Sequence, residues 1–319
     1  MEIKEQRSAF RALGVLIATL VLLAAGAAHA GLAQPAPATI RVATTPSESG
    51  AEVYYAADMG FFKKQGLDVD VTTLQNGGLI GAGISAGQFD LAQSAVPSIA
   101  GGYQNGLHFV IVAPAAVWKT GNPTWSALIV PKTSPIKSAK DLAGKTVGVN
   151  AVRNILQIAA AAWIDKNGGD SSAVHFLELP WAEMSVALGA HRVDAAAASS
   201  PDLDGALADN RILSTYFDAL GSAVLISAWY CTSDYAAAHP DVVRRFQAAI
   251  IEAGAWANKN PAQSAQILEK YTKIHIGPNA ARLIYPDKLT PAMVQPVIDA
   301  SAKYKALKSS FPAAEIIAP

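Results

Sequence analysis

Hydrophobic positions along this chain change period in a regular way from Thr39 onward. Thr39 to Ala43 (TIRVA) reads as a strand, Thr44 to Gly50 (TTPSESG) as a polar loop, and Ala51 to Gln65 as a helix stopped at Gly66. Leu67 to Leu74 (LDVDVTTL) alternates as a strand, and Gln75-Asn76-Gly77-Gly78 opens a helix that ends at Gly87. Phe89 to Gln93 and Phe109 to Val112 are further strands, with a helix beginning at Pro97 between them. The same alternation then repeats. Strands are expected at Ser126 to Val130, Thr146 to Val149, Val174 to Leu179 and Val193 to Ala198. Helices are expected at Asn154 to Asn167 and Ala182 to Gly189. After an apolar strand at Val224 to Tyr230, helices fill Pro240 to Lys259, Pro261 to Tyr271 and Pro291 to Leu307, each with proline in the first turn. Strands alternating with helices predict an α/β protein whose sheets carry helices on their faces.

The two rounds of alternation predict two lobes, 39–126 and 127–226, with residues 227–319 returning to the first lobe and ending in helices. Residues 1–30 read differently. Lys4, Arg7 and Arg11 precede an apolar core from Ala12 to Ala25, and Ala28-His29-Ala30 supplies a small-x-small site. That is the pattern of a cleavable secretory signal peptide, which predicts export to the periplasm. Residues 31–38 (GLAQPAPA) read as a disordered lead-in.

Charge and cysteine content narrow the function. The chain carries 25 basic and 25 acidic side chains, and loss of residues 1–30 removes three and two of these, for a net charge of −1. Neutral balance speaks against a nucleic-acid partner. The single cysteine, Cys231, cannot form an intramolecular disulfide, and a chain of this length buries a large core without one. The histidines show no metal-ligand spacing. Neither a metal nor a cofactor is expected. Gly83-Ile84-Ser85-Ala86-Gly87 fits G-x-S-x-G, but a nucleophile elbow needs a strand before its serine and a helix after, and here the order is reversed. No catalytic residue is assigned.

Four segments in order carry a family resemblance. YAADMGFFKKQGLDVDV (Tyr55 to Val71), ISAGQFDLA (Ile84 to Ala92), SAKDLAGKTVGV (Ser138 to Val149) and GAHRVDAAAASSP (Gly189 to Pro201) resemble the hallmarks of nitrate/taurine/sulfonate-type ABC-transporter binding proteins. The resemblance implies a two-lobed periplasmic binding protein fold of type II, with hinge-linked mixed sheets. It also implies a monomer that passes a small-molecule ligand to a permease and ATPase of the inner membrane. Within these motifs Gly60, Gly66, Phe61 and Phe62 read as a helix end anchored on the sheet, and Asp90 and Asp194 as groups that bond turn amides. Thiamine-precursor synthases and some dehydratases share the fold and stand as the enzyme alternative; the synthases' cysteine-rich segment has no counterpart here.

In open α/β sheets a ligand sits beyond the carboxyl ends of strands, where loops meet helix N-termini. Five loops qualify, and they give the candidate contacts. They are Ser47, Glu48 and Ser49; Asn76 and Gly77; Ser94 and Val96; Arg153 and Asn154; and Ser199 and Ser200. Each serine or asparagine could instead be an ordinary helix cap. Arg153 could pair with a carboxylate or sulfonate, Glu48 could accept from an amine or heterocycle, and Trp181 is placed to stack on a ligand. A small organic anion, sulfonate or carboxylate, is the first expectation for the solute, and a pyrimidine-type or other planar heterocycle the second.

Overall fold

The computed structural model describes residues 38–74, 77–278 and 280–318, so residues 1–30, read above as a signal peptide, lead-in residues 31–37 and Asn76 lie outside the described residues. The first sheet has the order β2-β1-β3-β12-β4. It contains β1 (Ala38–Thr44), β2 (Leu67–Thr73), β3 (Leu91–Ala95), β4 (Phe109–Pro114) and β12 (Ser227–Thr232). β1 runs parallel to both β2 and β3, and β12 runs antiparallel to β3 and β4. The second sheet has the order β10-β6-β9-β7-β8. It contains β6 (Ser126–Pro131), β7 (Thr146–Val149), β8 (His175–Glu178), β9 (Ala195–Ser199) and β10 (Asn210–Ser214). Here β7 is parallel to β8 and β9, and β6 is antiparallel to β9 and β10. In each sheet the strand that runs against its neighbours is the one arriving from the other lobe. A short antiparallel ribbon, β5 (Val117–Lys119) with β11 (Ala223–Leu225), joins the two crossings.

Central strands are apolar because helices cover both faces: every residue of β9 is buried, as are the first five of β6. The first lobe carries α1 (Glu52–Asp58), α2 (Phe61–Lys64), α3 (Gly77–Ser85) and α4 (Val96–Gln104). The second carries α5 (Ile155–Lys166), α6 (Met184–Gly189) and α7 (Asp202–Ala206). The chain ends through α8 (Ser233–Ala238), α9 (Pro240–Lys259), α10 (Pro261–Thr272) and α11 (Pro291–Lys303). α9 packs on α1, and its buried Val243, Phe246, Ile250, Ala253 and Ala257 form a helical stripe. Phe62 stacks on Phe246 with ring centroids 5.8 Å apart, which anchors the end of α2.

Two sequence expectations need correction. The helix expected over Ala51 to Gln65 is two helices, because Gly60 takes φ 76° and turns the chain between them. The strand expected over Val224 to Tyr230 is split between β11 and β12. At Ile226 the backbone N–H bonds Ala116 and the carbonyl accepts from Val96, so the chain changes sheets there. The two aspartates behave alike. Asp90 accepts from the Arg41 N–H at 2.7 Å and Asp194 from the Thr146 N–H at 2.9 Å, each tying the turn before one strand to the neighbouring strand. Ser85 closes α3, its hydroxyl donating to the Gly81 carbonyl, and β3 follows it.

Candidate ligand-binding cleft

The carboxyl end of β1 leads into a loop whose polar groups largely satisfy one another. Thr45 Oγ1, Ser47 Oγ and Ser49 Oγ stand in a row at 2.9 Å spacing. Gln93, buried at the end of β3, accepts from Thr45 Oγ1 and donates to the Ser49 carbonyl. Ser227, the first residue of β12, donates to the same carbonyl at 2.7 Å. Gly50 makes this packing possible, since a Cβ there would stand 2.4 Å from Thr44 Oγ1.

Below the loop lies a buried charged cluster. Arg282 Nε meets Glu48 Oε1 at 2.5 Å, and the guanidinium also donates to the Pro261 carbonyl and the Tyr55 hydroxyl. Tyr285 donates to the Glu48 carbonyl at 2.8 Å. Burial raises the Glu48 carboxyl above its usual range, and Arg282 pulls it back. Glu52, on the first turn of α1, is buried without a cation: Trp229 Nε1 donates to its Oε1 at 3.4 Å, and its Oε2 has no hydrogen-bond partner in the protein. Burial holds this second carboxyl well above the usual carboxylate range.

Facing this loop, β9 delivers Ser199, Ser200 and Pro201 to the same gap. Because β6 runs against β9, with Ser126 opposite Ser199, the residue entering β6, Trp125, arrives at the same end. The 3-10 turn Trp181–Glu183 places Trp181 alongside. The third wall is Leu268 and Thr272 of α10 with Ile274 and Ile276 of the strap that follows. Together with Pro46, Ser47, Glu48 and Asp202 they line an open cleft. Among the described residues no lysine or arginine lines this space. Trp125 Nε1 and Ser200 Oγ are buried there without hydrogen-bond partners, and so are Ser94 Oγ and Asn150 Oδ1 at the carboxyl ends of β3 and β7. Unpaired buried polar atoms are costly, so such a set favours an occupant that supplies the missing bonds.

The expected contact residues divide. Ser47, Glu48, Trp181, Ser199 and Ser200 line the cleft. Ser49 belongs to the hydroxyl row behind it. Gly77 opens α3 against Ser94, where a Cβ would stand 2.4 Å from Ser94 Oγ, and Val96 is fully buried at the start of α4. Asn154 caps α5, accepting from the Ile155 N–H at 2.6 Å. Arg153 is exposed, at φ 55°, with its N–H bonded to Gln157. None of these six lines the cavity. The carboxylate of Glu48 is already taken by Arg282, a partner 234 positions away. Trp125 carried a weak signal in the sequence, standing at the crossing into the second lobe. Asp202, Arg282 and the strap residues carried none.

Residues 48–264 match the family model described as NMT1/THI5 like, and the chain belongs to that family. A binding protein of Brucella abortus is 24% identical over 235 residues, covering 69% of this chain and 66% of the relative. The match thus spans just under two thirds of that relative's length. Among solved structures, the periplasmic aliphatic sulphonate binding protein SsuA of Escherichia coli superposes with a TM-score of 0.71 at 17% identity, covering 89% of this chain and 92% of that one. The alkanesulfonate-binding protein of Xanthomonas axonopodis pv. citri, bound to MOPS, gives 0.68 at 18%, covering 89% and 99%. The nitrate-binding protein NrtA of Synechocystis PCC 6803 gives 0.67 at 14%, covering 87% and 84%. At such identities the likeness establishes the fold, which is that of the periplasmic binding proteins.

Proposed function

We propose that this protein is the periplasmic solute-capturing component of an ABC-type importer, and that its solute carries a planar, mainly apolar ring and no strongly acidic group. Family membership, the shared fold and the secretory pattern of residues 1–30 support the first part. The lining of the cleft supports the second. Two tryptophans and three aliphatic side chains face a space that, among the described residues, receives no basic side chain, beside one carboxyl paired with Arg282 and another, Asp202, at the rim. An alkyl sulfonate there would bury its charge without a cationic partner. A flat ring with acceptors and donors at its edge would cover the indole faces and satisfy Trp125 Nε1 and Ser200 Oγ. The heterocycle, second in the sequence-based expectation, therefore takes precedence over the anion.

Titration by tryptophan fluorescence and thermal melting tests this. The panel holds pyrimidines, purines, aryl carboxylates, alkanesulfonates and nitrate. A ring compound should saturate and, at a hundredfold excess over its Kd, stabilise the fold by about 2.7 kcal/mol, with mass spectrometry recovering it unchanged. Saturation by alkanesulfonates or nitrate, with none by ring compounds, overturns the assignment of the solute. Recovery of a chemically altered compound overturns the carrier role.

A further inference from the structure

Asp202 stands at the border of two cavities. One is the cleft just described. The other lies within the second lobe and is lined by Met184, Ser185, Ala198, Gly205 and Ala206. Trp181, Ser199 and Asp202 border both, so these three residues form the partition. Two acidic side chains at the amino ends of strands are consumed by the fold, Asp90 by Arg41 and Asp194 by the Thr146 amide and Lys145. Asp202 differs: among the described residues no hydrogen bond or ion pair reaches its carboxyl, and desolvation alone raises its pKa. Next to it, Ser200 Oγ is buried, 8% exposed as a residue, and has no hydrogen-bond partner in the protein. Gly205, which lines the second cavity, has open space beside it, since a Cβ there would meet no atom within 4 Å.

We infer, building on the ring-binding cleft proposed above, that Asp202 is the counter-ion for a cationic nitrogen carried by the solute. The ring lies in the cleft and the cationic group points at the partition. There Asp202 pairs with it, Ser200 Oγ accepts one of its N–H groups, and the face of Trp181 adds a cation–π contact. Glu48 cannot take this part, because Arg282 occupies its carboxylate. The same unpaired carboxyl discriminates against acidic solutes, since an anion placed beside it is repelled with no basic group near to offset the repulsion.

Three isosteres separate charge from shape: benzamidine, cationic at neutral pH, benzamide, neutral, and benzoate, anionic. Calorimetric titration of the whole protein should show benzamidine binding at least about tenfold tighter than benzamide, with benzoate weakest. Asp202→Asn should erase that preference, bringing benzamidine to the affinity of benzamide, and Asp202→Glu should keep it. If Asp202→Asn weakens all three equally, or leaves the preference intact, Asp202 is not the counter-ion. Equal binding of the three by the wild-type protein overturns this inference and preserves the ring-binding cleft. Absence of saturable binding by any of them at millimolar concentration overturns the cleft assignment itself.

Discussion

Replacing Arg282 by methionine would strip Glu48 of its only cation among the described residues while keeping most of the side-chain volume. The two side chains are 17% and 4% exposed and meet at 2.5 Å, so solvent does little to screen the loss. Removing one member of a buried pair costs about 3–5 kcal/mol, because the other is left charged or must take up a proton. For a domain of this size about 2 °C of melting temperature corresponds to 1 kcal/mol, so the midpoint should fall by roughly 6–10 °C.

The pH dependence makes the prediction sharper. Arg282 supplies the two largest influences that lower the Glu48 pKa, and burial raises it. In Arg282→Met burial dominates, so the folded-state pKa climbs further above the unfolded value. A raised folded-state pKa gives stability that is fully present below the unfolded pKa and is lost as pH rises toward the folded one. The deficit against wild type should therefore be smallest near about pH 4 and grow toward neutrality. Adding Glu48→Gln removes the buried charge, and the double variant should cost less than the sum of the singles. Thermal and urea unfolding followed by circular dichroism at several pH values measures all of this. A pH-independent loss under about 1 kcal/mol, or singles that add within about 0.5 kcal/mol, would refute the buried-pair argument.

Glu52→Gln keeps an acceptor for Trp229 and removes an ionisable group whose pKa burial holds well above normal. By the same sign, its stability advantage over wild type should appear above the ordinary glutamate range and widen with pH; melting curves that stay parallel from acid to neutral pH would count against it. Gly50→Ala places a methyl 2.4 Å from Thr44 Oγ1 and 2.7 Å from the Gln93 side chain, so urea unfolding should show a loss of about 1–3 kcal/mol. Unchanged midpoints would mean that the hydroxyl row yields easily. Trp181→Ala merges the two cavities by removing part of their partition. Fluorescence titration should show ring-compound affinity falling by at least about tenfold, and an unaltered Kd would place the ring elsewhere.

What could be read from the sequence was what repeats locally. Helix α9 was legible from Pro240 to Lys259 because proline marks its first turn and Val243, Phe246, Ile250, Ala253 and Ala257 recur at helical spacing. The break at Gly60 was not, because a glycine inside an apolar periodic stretch reads as a tolerated interruption until its φ is seen to be positive. The change of sheet at Ile226 has no local signature, since the residues on both sides are apolar and extended. The candidate site shows the same division. Loops at strand ends could be found from the order of elements, which located Ser47, Glu48, Ser199 and Ser200. The third wall is assembled from residues 268–276, far from both loops in sequence, and nothing in their aliphatic character announces a cleft. Likewise the pairing of Glu48 with Arg282 depends on a strap that Tyr285 and Asn258 fasten through paired backbone contacts, including Asn258 Nδ2 to the Tyr285 carbonyl at 2.7 Å.

The hydrogen bonding of the two lobes assigns them unequal parts in recognition. In the first lobe Thr45, Ser47, Ser49 and Gln93 are bonded to one another, and Glu48 is bonded to Arg282. A ligand touching these groups must compete with bonds already made, so each new contact yields little net free energy. Across the cleft Trp125 Nε1 and Ser200 Oγ are buried without hydrogen-bond partners among the described residues. A contact there relieves a cost the folded protein already bears, so the gain is larger and depends more steeply on the chemistry offered. The first lobe accordingly sets the shape of the cleft, a rigid floor whose polar groups hold each other in place. The second lobe, with the residue that leads into it, is where one solute is told from another.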